Sequence, residues 1–141
     1  MKRDKKGIAI AALGALCLLS SCNLDKYNRG PEIYWTGEYP VEMLDNTGGA
    51  WSGHTATISV WFRCSNTIGV VETAIVGQFA GNRRTFEAKW DGDSAFGLYL
   101  NDCKDQPQLI FSGELDGDKL ALTRTGEEGS DQTYILTKKN N

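Results

Sequence analysis

Few side chains in this 141-residue chain could do chemistry, and most of them stand apart from one another. There are four cysteines (Cys17, Cys22, Cys64 and Cys103) and one histidine, His54. A protein metal centre draws on closely spaced Cys and His side chains, and the sequence holds neither a CxxC pair nor a Cys/His cluster. General-base catalysis by His54 would need a nucleophile and an orienting acid, and none is identifiable near it in sequence. The reading is therefore non-catalytic, without metal or cofactor. The thiol with the most telling surroundings is Cys22, which closes the segment Leu19-Ser20-Ser21-Cys22.

That segment ends a leader with a clear division of labour. Lys2, Arg3, Lys5 and Lys6 form a basic start, and the stretch from Gly7 to Leu19 carries no charge. A membrane-spanning helix needs about 20 apolar residues, so the run has the length of a secretory signal core instead. A leucine, two small residues and a cysteine at this place resemble the lipobox of bacterial lipoproteins. The resemblance implies cleavage before Cys22, a diacylglyceryl thioether on its sulfur and acylation of the new amino terminus. More than one fatty chain gives stable anchoring, since each buried methylene contributes roughly 0.8 kcal/mol. Asn23, rather than Asp, follows the cysteine, which by the same resemblance implies the outer membrane. The style is similar to lipoproteins of the Bacteroidota, some of which carry an acidic export cluster after the cysteine. Here only Asp25 is present, so the periplasmic face is expected.

The expected division is a signal peptide over residues 1–21, a lipidated cysteine and tether over 22–32, and one domain over 33–141. The leader holds four of the 15 basic and one of the 18 acidic side chains, which leaves 11 against 17 and a net charge of −6. Phosphate backbones would repel such a domain, so nucleic acid is not expected as a partner.

From Ile33 onward, apolar and polar residues alternate with period two, the mark of half-buried strands. Trp35, Gly37, Tyr39, Val41 and Met43 form one face of the first strand; Ala56, Ile58, Val60 and Phe62 form one face of the second. A turn at Ala80-Gly81 would set Ile75 opposite Phe86. A three-residue loop at Asp91-Gly92-Asp93 would set Trp90 against Ser94 and bring Phe96 and Leu98 inside. A turn at Asp116-Gly117 would set Gly113 opposite Leu120 and Phe111 opposite Leu122. Eight strands result, with no helix expected after the leader. The fold class is all-β: an antiparallel up-and-down barrel of eight strands, because closure removes the exposed edges of a meander. The segments Trp35-x-Gly37-x-Tyr39, Phe111-x-Gly113-x-Leu115, Leu120-x-Leu122 and Tyr134-x-Leu136 are similar to small lipocalin-like or avidin-like barrels. The Gly-before-Trp order usual in lipocalins is reversed here, and no ligand residues are carried over.

Trp35, Tyr39, Phe62, Phe86, Trp90, Phe96 and Phe111 fall on inward faces, where they either wall a ligand pocket or fill the barrel. Arg84 is the one inward charge in this register; it needs a partner such as Asp118 or Glu114, or a place at the rim. Trp61 and Tyr99 face outward, and Trp51 and His54 share a loop at the barrel mouth. Cys64 and Cys103 would be oxidised in the envelope, but a simple meander puts them at opposite ends, beyond the roughly 7 Å that a disulfide allows. They are expected to be unbonded.

Two functions fit these observations. One is an envelope lipoprotein whose barrel binds a small apolar or amphipathic ligand or serves structurally. The other is a protein-binding module, an enzyme inhibitor or an accessory subunit of an outer-membrane complex, using the loops at 48–54 or 101–107. Glycan stacking on Trp61 or Trp51 is a third.

Overall fold

The alternating pattern carries the chain through eight antiparallel strands. The computed structural model describes residues 31–44, 51–77, 81–100, 106–125 and 131–141. The leader, Cys22, most of the tether and Cys103 lie outside the described residues. The strands are β1 (Ile33–Pro40), β2 (Thr55–Arg63), β3 (Ile68–Ile75), β4 (Gly81–Asp91), β5 (Ala95–Leu100), β6 (Gln108–Asp116), β7 (Lys119–Arg124) and β8 (Gln132–Asn140). Each pairs with its sequence neighbours, and β1 closes the barrel on β8 from Ile33↔Asn140 to Thr36↔Thr137. Every strand thus finds both partners within residues 33–140, which leaves the barrel with no free edge.

Inward positions match the expected faces. Ala56, Ile58 and Val60 of β2, Phe86 and Ala88 of β4, Phe96 and Leu98 of β5, and Leu120 and Leu122 of β7 all enter one core. The first strand is shorter than its apolar pattern. It stops at Pro40, and Val41–Met43 wind into a 3-10 turn. That turn drops Val41 and, just after it, Leu44 into the barrel end, both buried.

Three hairpin registers differ from the expected ones. Phe86 faces Gly69 rather than Ile75, Trp90 faces Phe96 rather than Ser94, and Gly113 faces Leu122 rather than Leu120. The shifts are of six, two and two residues. An even shift leaves every side chain on its expected face, so the core matches the expectation while the pairing does not. At the β6–β7 turn the reason is local. Gly117 has φ of +64° and Asp118 does not share a positive φ. A two-residue hairpin of that kind wants glycine first, so Gly117-Asp118 forms the turn and Asp116 pairs with Lys119.

Cys64 is disulfide-bonded, contrary to expectation. The error lay in treating strand ends as level. β5 is six residues long and pairs only with the far half of β4, so Tyr99 aligns with Glu87 and, through it, with Ile68. The end of β5 therefore lies two strand spacings, about 10 Å, from the start of β3, beside the turn that holds Cys64. In that turn Cys64, Ser65 and Asn66 all have φ between 55° and 66°. Left-handed backbone costs roughly 1–2 kcal/mol per non-glycine residue. The disulfide, the bonds from Thr67 to the Cys64 carbonyl, and the bond from Trp90 Nε1 to the Asn66 carbonyl (2.8 Å) hold it in place.

Candidate functional site

The two ends of the barrel are filled differently. At the end where β1 begins and β2 finishes, four large rings close the lumen. Phe62 packs edge-on against Trp35 (centroids 6.1 Å) and Phe96 (5.1 Å), and Trp90 tilts against Phe62 (5.0 Å) and Phe96 (4.8 Å). Offset and edge-to-face pairs of this kind contribute roughly 0.5–1.5 kcal/mol each beyond their burial. Phe96 also occupies the space a side chain would need at Gly113: a Cβ built there would run into the Phe96 ring. This end is plugged.

The opposite end holds a cavity of about 280 Å³. Phe86 and Phe111, edge-to-face at 5.6 Å, are among its walls. Val41 and Leu44 from the 3-10 turn, Ile58 and Val71 continue the apolar lining, and Tyr134 lies beside them. Tyr134 is almost fully buried; its hydroxyl donates to the Met43 carbonyl and its ring packs on Tyr39 at 5.1 Å. That hydrogen bond ties the 3-10 turn to β8 and fixes one side of the opening.

Trp51 stands at the mouth, 39% exposed, with its ring edge-on to His54 at 5.4 Å. Its loop is clamped by Glu42, whose carboxylate accepts from the Gly53 N–H (2.8 Å) and the Ser52 hydroxyl (2.9 Å). These donors, the Gly53 amide foremost, hold the Glu42 carboxyl below its ordinary value.

Among the described residues, two cations belong to the rim. Arg84 pairs across the ladder with inward Val71, and its guanidinium lies 5.3 Å from the centroid of Phe86. Arg124 pairs with Phe111, and its neighbour Thr125 donates from backbone and hydroxyl to the Ile110 carbonyl, holding the end of β7 against β6. No Asp or Glu is among the described lining residues.

The eight residues singled out from sequence therefore divide. Arg84, Phe86 and Phe111 line the cavity; Trp35, Phe62, Trp90 and Phe96 make the plug at the other end. Tyr39, in β1, bonds through its hydroxyl to the backbone of Ile135 in β8. Arg84 is exposed at the rim, while Asp118 and Glu114 belong to the far end, so neither is its partner. Trp61 faces outward as expected but is only 2% exposed, with Arg83 stacked 5.0 Å above it, so it presents no open face for a sugar. Tyr99, also outward, is half-buried and carries Lys89 over its ring. The sequence reading passed over Arg124, although its place two residues after Leu122 puts it on the inward face by simple alternation.

Fold and site together define a small, closed antiparallel barrel, plugged at one end and hollow at the other. No family model, curated protein or solved structure matches the chain.

Proposed function

We propose that this chain is a lipid-anchored protein of the bacterial envelope whose barrel holds one small, largely apolar molecule, without catalysing its conversion. The observation that carries the ligand half is the cavity: apolar walls, a single hollow end and a volume of about 280 Å³ are the features of a small-molecule site. Its described lining offers aliphatic and aromatic surface and two arginines, and among these residues there is no cysteine, histidine or carboxylate to act on a substrate. The anchor half rests on the lipobox-like segment ending in Cys22. Because β1 begins at the plugged end, a tether leading to Ile33 enters opposite the cavity mouth. The anchored barrel would then open away from its attachment point.

Native mass spectrometry of residues 23–141, made in the source bacterium, tests the ligand half. A bound small molecule released by mild activation is expected; bare polypeptide that also fails to take up an apolar probe would contradict it. Labelling with radioactive palmitate tests the anchor, and loss of label in Cys22→Ala is the expected result.

A further inference from the structure

We infer that the occupant of the cavity is a single-chain amphiphile with an anionic head, its chain among the apolar walls and its head at Arg84. The inference rests on the ligand-binding reading above and goes further by assigning the head group. After removal of the leader the chain carries 17 acidic and 11 basic side chains, net −6. Among the described residues, Arg84 and Arg124 contribute to the lining of the cavity, and no Asp or Glu does.

Arg84 is placed for an incoming anion. It shares an inward row with Val71 and lies two residues before Phe86 on the same face of β4, so its guanidinium rests over the edge of the apolar space. Among the described residues no carboxylate lies within ion-pairing distance of it. The neighbouring Arg83 shows the contrast: it faces the outer surface and pairs with Glu72 at 3.1 Å. A guanidinium offers planar, paired donors that match a carboxylate. Beside apolar walls the attraction is also less screened than in open water. Asn82 is a further lining residue at the same end and supplies an uncharged amide.

Isothermal titration of residues 23–141 with decanoate, 1-decanol and decyltrimethylammonium tests this, since the three share a chain and differ in the head. Decanoate is expected to bind at least about tenfold more tightly than decanol, the scale of one charge-assisted hydrogen-bonded contact. Decyltrimethylammonium is expected to bind most weakly. Arg84→Gln should bring decanoate down to the affinity of decanol, and Arg84→Lys should keep part of the difference. Arg84 is exposed, so both variants should melt as the parent does, which a thermal scan checks. Equal affinity for decanoate and decanol would overturn the anionic head and leave the cavity reading standing. A difference that survives in Arg84→Gln would overturn its placement at Arg84. Failure of all three to bind would remove the cavity reading itself.

Discussion

The phenolic oxygen of Tyr39 lies 2.6 Å from the backbone nitrogen of Ile135 and 3.1 Å from its carbonyl oxygen. One side chain thus closes both groups that β1 leaves without a ladder partner. The β1–β8 ladder ends at Thr36↔Thr137, and the hydroxyl of Tyr39 takes over where the strands separate. Removing it in Tyr39→Phe keeps the ring against Tyr134 but strands two backbone groups. Urea unfolding is expected to show a loss of about 1 kcal/mol, with faster amide exchange at Ile135. Unchanged stability and exchange would mean the seam is held by something else.

Gly113 and Phe96 share one volume at the plugged end. Gly113→Ala sets a methyl group into the ring and is expected to cost about 1–3 kcal/mol, as overpacking does. Phe96→Leu alone removes ring contacts and is expected to destabilise too. Combined, the two changes should cost less than their sum, because the smaller side chain makes room for the methyl group. Strict additivity in a double-mutant cycle would refute the shared volume.

The loop bearing Trp51 should respond to acid through Glu42. Its carboxyl is held below the ordinary 4.5, chiefly by the Gly53 N–H. A depressed folded value means the clamp's contribution is fully present above pH 4.5 and fades as pH falls through the lower folded value. Trp51 emission is therefore expected to change on acidification below pH 4.5 in the parent protein. In Glu42→Gln that acid transition should be absent. A transition that persists in the variant would assign it to another group.

Cys64 is bonded, and the remaining cysteines are few. On the proposed lipoprotein reading Cys17 goes with the leader and Cys22 carries the lipid, which leaves Cys103 as the expected partner. A peptide map without reductant should show the segments bearing Cys64 and Cys103 joined. Reduction is expected to lower stability by about 2–4 kcal/mol, the usual range for a loop of this size. A Cys103 peptide found with a free thiol would contradict the pairing.

What the sequence made legible was parity. Alternation tells which residues point inward, so it puts Phe86, Phe96, Phe111 and Leu122 in the core whatever the register. Register itself depends on where each turn begins, and alternation cannot distinguish shifts of two or six residues. That is why a turn at Asp116-Gly117 sets Gly113 against Leu120 instead of Leu122, whereas the inward face of Arg124 follows from alternation alone. The position of Cys64 was misjudged for a related reason: strand stagger in a barrel brings the end of a short strand level with the start of a distant one. Which inward aromatics form the plug and which the cavity follows from that same stagger, and single-strand patterns do not contain it.

The most direct measurement of the account concerns the hollow end. N-phenyl-1-naphthylamine brightens in apolar surroundings, and residues 23–141 are expected to enhance its emission at one site per barrel. Ala56→Leu, which grows a side chain into the cavity lining, should abolish the enhancement. Phe62→Leu, in the plug, should weaken the fold but leave uptake intact. No enhancement by the folded parent protein, or equal loss of uptake from both variants, would contradict a binding cavity at that end.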